Sequence, residues 1–274
     1  MNMDRRTATV VTIAGFLLIG SGAGAQDNAA DLRVSTGIEY STGEYGGSGD
    51  IEEIYVPFTF RAGFERVGLR LTVPWLSVTA PEDTVITEPG TEPLPGSGAT
   101  VTESGLGDMI GAFTLYDLYV SDNAGFVVDI TGKIKFATAD EAKGLGTGEN
   151  DYTVQIDAYR FFDRVSLQGT AGYRLRGDPP GIDLNDVLLA SVGGAYLAWA
   201  DTLVGMYFDY RQSAISGMDD IQELSGFASF RLSRAWRMEL YAFTGFTDSS
   251  TDFGGGILFS TNLSQLRVSE RQDY

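Results

Sequence analysis

The residues with the clearest chemical potential in this sequence are charged side chains that recur at every second position between apolar ones. Within residues 125–136, Asp129, Lys133 and Lys135 alternate with apolar residues such as Ile130 and Ile134. Side chains alternate between the two faces of a β-strand, whereas a helix would space a face by three or four residues. The spacing therefore predicts a strand with one charged face and one apolar face.

The same alternation continues along most of the chain and defines a larger set of charged residues on one predicted surface. We predict that this surface lines a lumen and carries Arg61, Arg70, Asp129, Lys133, Lys135, Asp157, Arg174, Asp209, Arg211, Glu223 and Arg231. Arg33, Arg176, Arg237, Glu39, Glu53 and Glu239 fall on the same faces. The chain has a net charge of −18, so the acid excess lies in loops and turns. Fixed charges lining a pore can select solutes, whereas charges that merely pair across a solvated interior would not.

Catalysis has little support in the residue inventory. The chain contains no histidine, so a Ser-His or Asp-His centre cannot be built, and it contains no cysteine, which excludes thiolate metal ligands and disulfides. A carboxylate pair for glycoside cleavage remains formally open, but no spacing singles one out. We expect no enzyme activity and no cofactor. The strong acidity also argues against nucleic acid as a partner.

Gly144, Gly146 and Gly148 form the one segment that resembles a phosphate-binding loop. Such a loop needs a helix N-terminus directed at the anion. Residues 152–158 instead alternate as a strand, so the glycines indicate a turn.

Three segments organise the chain. Residues 1–25 combine Arg5 and Arg6 with a short apolar run and a small-residue cleavage site, which predicts a secretory signal peptide. Residues 26–260 are predicted to form a single β-domain, and residues 261–274 a short polar tail. A mean hydropathy of −0.03 excludes a bundle of membrane helices.

The β-domain contains about twelve alternating segments, joined by longer and shorter connections in turn, as in barrels of the bacterial outer membrane. Aromatic residues cluster near both kinds of connection, as at the two membrane interfaces. The predicted fold is an all-β, antiparallel transmembrane barrel in the cell outer membrane. A soluble periplasmic sandwich or propeller would also alternate, but needs neither the rhythm of connections nor two aromatic belts.

Two segments depart from the regular alternation of the other strands. Strand four, near residues 108–118, does not choose an apolar face. Residues 79–106 contain four prolines and several acidic residues, which predicts a long exposed extracellular loop. We expect an open path through the barrel unless this loop folds inward.

Residues 135–138, the glycine-rich residues 144–148 and Asp151 are similar to outer-membrane transporters grouped under the MetA pathway of phenol degradation. The similarity continues, as a pattern of glycines and turns, through residues 105–108, 172–174, 193–194, 209–210 and 245–256. The proline that this family carries near Ala137 is missing, which affects the shape of that loop. The resemblance implies an outer-membrane barrel and uptake of small apolar or aromatic compounds.

The sequence thus favours an outer-membrane channel or facilitator for small solutes, with membrane lipid as its surroundings. The alternative is a non-conducting structural or interaction barrel with acidic extracellular loops, which can also hold divalent cations. For the channel we expect a narrow pore, with bulky arginines on one wall and small residues on the other. Those small residues are Gly37, Gly68, Gly193, Gly205, Gly254 and Gly256.

Overall fold

The computed structural model describes residues 31–88, 92–199 and 201–265. The predicted signal peptide lies outside these ranges. The strands are β1 (Asp31–Gly43), β2 (Ile51–Gly63), β3 (Val67–Pro81), β4 (Val85–Glu88), β5 (Glu92–Leu94), β6 (Thr100–Leu106), β7 (Met109–Ser121), β8 (Phe126–Phe136), β9 (Asp151–Phe161), β10 (Val165–Leu175), β11 (Val187–Trp199), β12 (Thr202–Arg211), β13 (Ile221–Arg231), β14 (Trp236–Gly245) and β15 (Phe253–Asn262). The only helical turns described are short, at Glu141–Lys143 and residues 263–265.

The main sheet closes on itself as a twelve-stranded antiparallel barrel, as the alternation predicts. β6 and β7 are two pieces of the fourth wall strand, because β6 pairs with the second half of β3 and β7 with its first half. β1 pairs with β15, and this seam joins the first and last strands. Tight turns lie at one end of the barrel, here called the short-turn end, and longer connections lie at the opposite, long-loop end.

The barrel is inverted relative to a water-soluble protein, since apolar residues face out and polar residues face in. Large hydrophobic side chains are exposed on the outer surface along every part of the wall, for example Phe58, Leu69, Ile156, Val192 and Met206. Exposed aromatic residues mark both rims, including Trp75 and Tyr152 at the long-loop end and Trp199 and Trp236 at the short-turn end. This surface suits a lipid bilayer, whose hydrocarbon solvates apolar side chains. Within the described residues, no helix has the length and apolar character needed to cross a membrane.

The ambiguous pattern of strand four has a local cause. The pairing of β7 with β8 shifts register between Leu115 and Tyr119, and Asp117 in the shifted segment has a φ of 56°. The backbone N–H of Asp117 donates to the Asp129 side chain over 2.9 Å, which holds the bulge in place. A bulge interrupts the strict alternation of faces, so no single periodicity describes this strand.

The prediction of a long exposed loop at residues 79–106 is wrong. β3 continues to Pro81, and β6 pairs with it from Thr100 onwards. Between them, β4 and β5 form a separate hairpin in which Ile86, Thr87 and Glu88 are buried. We call β4 and β5 the plug hairpin, because apolar contacts and an ion pair bind it to the inside of the barrel and to neighbouring long loops.

The last strand runs to Asn262, slightly past the predicted end of the β-domain at residue 260. Most of the predicted tail, residues 266–274, lies outside the described part of the chain.

Candidate functional site

Five basic residues that the alternation placed on the inner face share one line of strand pairing. Arg33 of β1 is paired with Arg61 of β2, and Arg61 with Arg70 of β3. The line continues from Arg70 through Ala112 of β7 to Lys133 of β8, and through Thr153 of β9 to Arg174 of β10. The five cations Arg33, Arg61, Arg70, Lys133 and Arg174 are called the basic row.

The basic row runs lengthwise through the lumen because barrel strands are tilted. Arg33 is the third residue of β1 from the short-turn end, whereas Arg174 is the second-last residue of β10, at the long-loop end. Strands about 4.8 Å apart and tilted by about 40° raise such a line by about 3 Å per strand, hence by roughly 20 Å from Arg33 to Arg174. The row therefore spans much of the membrane thickness.

The plug hairpin inserts a carboxylate at the long-loop end of this row. Glu88 is buried and forms an ion pair with Arg174. Four wall cations lie within electrostatic reach of its carboxylate: Arg174, Lys133, Arg211 and Arg176. Burial alone would raise the pKa of Glu88, but these cations outweigh burial and lower the pKa from 4.5 to about 2. Glu88 is therefore held as a carboxylate.

A second contact fixes the main chain of the plug hairpin. The Nζ atom of Lys135 donates to the backbone carbonyl of Thr87 over 2.8 Å and to the Thr147 hydroxyl over 2.9 Å. The same ammonium pairs with Asp151 at 3.1 Å and with Asp108 at 3.6 Å. Two carboxylates thus compensate Lys135, which makes it an anchor for the hairpin.

Apolar packing joins the plug hairpin to the surrounding long loops. Ile86 packs in one cluster with Leu145, and its N–H donates to the Gly144 carbonyl over 2.8 Å. Leu94 packs with Leu184 and Ala214 from two further loops. The glycine-rich residues 144–148 therefore form a turn, as predicted, and this turn contacts the plug hairpin.

Acidic side chains occupy the wall across the barrel from Lys133 and Arg174. Glu39 of β1 and Glu53 of β2 are buried, and the Tyr241 hydroxyl donates to Glu39 over 2.5 Å. Glu223 of β13 is buried beside Asp209 of β12 in the strand register. This part of the inner wall is therefore mainly acidic, and Arg211 of β12 lies two residues from Asp209.

The remaining predicted residues are distributed more widely. Asp129 and Asp157 are buried and directly paired between β8 and β9, on the short-turn side of the Lys133–Thr153 pair. Asp157 accepts hydrogen bonds from Gln155 and Thr170. Arg211 is buried near Glu88. Arg231 lies at the short-turn rim, where its half-exposed side chain is 3.8 Å from Asp201.

The inner glycines do not form a bare wall. A Cβ atom at Gly193 would lie 2.1 Å from the Tyr207 ring, and one at Gly205 would lie 2.5 Å from the Phe227 ring. Gly254 and Gly256 are covered in the same way by Phe243 and Tyr241, and Gly68 by Tyr116. Leu258 covers Gly37. A side chain of an adjacent strand therefore packs on each of the six glycines, and in five cases this side chain is an aromatic ring.

These rings form a continuous apolar surface inside the barrel. The aromatic band consists of Tyr159, Tyr207, Phe227, Tyr241 and Phe243, packed with Leu203 and Leu258. Tyr207 and Phe227 stack with centroids 6.0 Å apart, and Tyr241 and Phe243 with centroids 6.4 Å apart. The band lies mainly on β12–β15, beside the basic row rather than within it.

Sequence reasoning missed the apolar members of the band. Phe227 and Phe243 occupy positions of the same parity as Glu223 and Glu239, which already belonged to the inner face. The alternation therefore places Phe227 and Phe243 on the inner face. They were missed because the prediction counted only polar residues as lining the lumen.

Among the described residues, no three His, Cys, Asp or Glu side chains are grouped to hold a metal ion. Divalent cations at the acidic loops remain a prediction.

The fold is similar to solved outer-membrane channels. The COG4313 outer membrane channel from Pseudomonas putida F1 superposes with a TM-score of 0.69 at 11% identity, over 86% of this chain and 96% of that one. The NanC porin gives a TM-score of 0.56 at 9% identity, over 85% and 100% of the two chains. The KdgM porin, solved with oligogalacturonate, gives 0.52 at 9% identity, over 84% and 99%. No protein-family model and no curated protein matches the chain.

This is an outer-membrane β-barrel. The closed twelve-stranded wall, the apolar outer surface and the similar folds agree on this point. The resemblance to transporters of the phenol-degradation pathway is not confirmed at the level of that family.

Proposed function

We propose that the protein is an outer-membrane channel for small solutes, held closed in this structure by the plug hairpin. The observation that carries the proposal is the basic row, which follows the lumen for most of its length. A barrel that served only as a scaffold would gain no stability from Arg33, Arg61 and Arg70 in direct register, because like charges on paired positions destabilise a sheet.

The aromatic band supports a finer proposal, that the solutes include aromatic compounds. Tyr207 and Phe227 stack on each other and are buried in this structure. Their apolar faces can receive the ring of a solute once the lumen is open. The similarity of the sequence to transporters of phenol degradation points to the same class.

One observation favours the alternative of a non-conducting barrel. Many inner side chains, such as Glu239, Thr131 and Ser229, are almost completely buried, so the described lumen is filled with side chains. The channel proposal attributes part of this closure to the plug hairpin, whose removal should open a path.

Planar-bilayer conductance and liposome swelling with purified, refolded protein test this directly. The variant replaces residues 85–94 by a short Gly-Ser linker, and Glu103→Gln on exposed β6 is the control. We expect low conductance for the parent and the control, and a large increase for the hairpin-less variant. A hairpin-less barrel that shows the parent's heat-modifiable migration on gels but conducts nothing would establish the non-conducting alternative.

A further inference from the structure

We propose that the solute is a small aromatic carboxylate, and that Glu88 occupies the binding site of its carboxylate group in the closed state. The inference rests on the proposed channel function and names its substrate class. It starts from the fact that the wall cations near Arg174 already hold a carboxylate supplied by the chain itself.

The side chains around the Glu88 carboxylate have the composition of an anion-binding site. Arg174 and Arg211 carry guanidinium groups, which match the geometry of a carboxylate, and Lys133 adds a third charge. Asp157 and Asp209 lie nearby on the inner faces of β9 and β12 and offset part of this charge. Arg176 adds a fourth cation within electrostatic reach of the Glu88 carboxylate.

The contact between Lys135 and the plug hairpin is chemically separate from the contacts of the Glu88 carboxylate. Lys135 is balanced by Asp108 and Asp151 and holds a backbone carbonyl, not a side chain. Exchange of the Glu88 carboxylate for a solute carboxylate would therefore leave the Lys135 contacts intact. The Glu88 side chain is the exchangeable part of the plug hairpin.

The basic row gives a released anion further positions along the lumen. From Arg174 the row passes through Lys133 and Arg70 to Arg61 and Arg33 at the short-turn end. Successive cations are one or two strands apart, which is about 5 or 10 Å, so long flexible side chains can bridge these distances. A cation, by contrast, would meet repulsion along this path.

The aromatic band supplies the contact for the rest of the solute. On β12, Arg211, Asp209 and Tyr207 occupy successive inner positions, so Tyr207 lies about 13 Å below Arg211 along the strand. The carboxylate site near Arg211 and the rings are therefore successive positions along the lumen. Tyr207 and Phe227 are buried in the closed state, so the ring of a solute stacks on them only after the lumen has opened. Apolar molecules without charge would use only the band, and acetate only the cations.

The experiment measures flux into liposomes for benzoate, acetate and benzyl alcohol, which separate the charge from the ring. We compare the parent with three variants: Glu88→Gln, Glu88→Gln combined with Arg174→Gln, and Arg70→Gln. The exposed Arg164→Gln is the charge-matched control. Heat-modifiable migration on gels checks that each barrel is folded.

We expect Glu88→Gln to raise benzoate flux about tenfold or more, because the internal competitor has lost its charge. Adding Arg174→Gln to this variant should remove most of the gain in benzoate flux. Arg70→Gln alone should lower benzoate flux in a barrel that stays folded. Arg164→Gln should show the flux of the parent. Benzyl alcohol and acetate should change less than benzoate.

The outcomes separate the two proposals. If benzyl alcohol and benzoate cross equally and no basic-row variant affects either, the carboxylate assignment is overturned while the channel stands. Equal gains for acetate and benzoate would overturn the aromatic part. If no solute crosses any folded variant, including the barrel without residues 85–94, the channel function itself fails.

Discussion

The Nζ atom of Lys135 lies 2.8 Å from the backbone carbonyl oxygen of Thr87, so one wall side chain holds the main chain of the plug hairpin. Asp108 and Asp151 form ion pairs with this buried ammonium at 3.6 and 3.1 Å. Asp108 in turn accepts the N–H groups of Thr138 and Ala139, each over 2.9 Å. Three separate segments of the long-loop end therefore depend on a single side chain.

Replacing Lys135 by methionine should destabilise the protein strongly. The change leaves two buried carboxylates without their cation, which costs about 3–5 kcal/mol. Urea unfolding in detergent micelles measures the loss in the free energy of unfolding. Lys143→Met is the control, because Lys143 and Glu103 form a half-exposed pair at 3.6 Å, and such pairs contribute less than about 1 kcal/mol. Equal losses for both variants would show that Lys135 is not an anchor.

A methyl group at Gly193 should disturb the aromatic band. Its Cβ atom would lie 2.1 Å from the Tyr207 ring and 2.4 Å from the backbone carbonyl oxygen of Met206, so the ring and the strand must both shift. We expect Gly193→Ala to lower the free energy of unfolding by about 1–3 kcal/mol, as overpacking does. Gly132→Ala on β8 provides the control, since nothing lies within 4 Å of the added atom. If the Gly193 variant is as stable as the Gly132 variant, the Tyr207 ring does not pack closely on Gly193.

The Glu88 contact predicts how closure depends on pH. The pKa of Glu88 falls from 4.5 to about 2 in the folded protein, so its charged form is favoured by folding. Its contribution is therefore complete above about pH 4.5 and is lost as the pH falls through about 2. Bilayer conductance should stay at the closed level from pH 8 to pH 5 and rise only in strong acid. Glu88→Gln should lack this acid step, and a step of equal size in that variant would assign it to another group.

An arginine at Val192 should test the membrane-facing surface. Val192 is exposed in the middle of β11, paired with Gly169 and Phe208. A charged side chain at the bilayer midplane costs about 2–4 kcal/mol, so Val192→Arg should lower stability in lipid vesicles by that amount. Ser97→Arg, on an exposed loop position, should have little effect. If the two variants are equally stable in vesicles, the middle of β11 does not face hydrocarbon.

The sequence allowed the wall to be predicted because one physical rule governs it. Every wall strand must present apolar atoms to lipid and can present polar atoms to the lumen, so alternation such as that of Lys133, Ile134 and Lys135 repeats along each strand. The alternation does not predict the register between strands. The alignment of Arg61 with Arg70 follows from the turn at residues 64–66, but the alignment of Arg70 with Lys133 depends on shear and on the bulge in β7.

The plug hairpin was missed because its composition is that of an exposed loop. Residues 79–106 contain four prolines and five acidic residues, and within the hairpin only Val85, Ile86 and Leu94 carry an apolar signal. What buries Glu88 is a set of cations more than 40 residues away in the chain, and no local pattern contains them. The residues predicted for the inner face include more arginine and lysine than aspartate and glutamate, and this imbalance was the available sign that an acidic segment belongs there.

The seam between β1 and β15 has a consequence for the assembly of the protein. The Asn262 side chain donates to Asp31 over 2.6 Å, and these residues are 231 positions apart in the chain. Pairing across such a separation has a large loop-closure entropy and forms slowly. The plug hairpin follows β3, so it is synthesised long before the seam can form. Either the curling sheet closes around its own hairpin, or the hairpin enters a barrel that has already sealed, through the long-loop mouth.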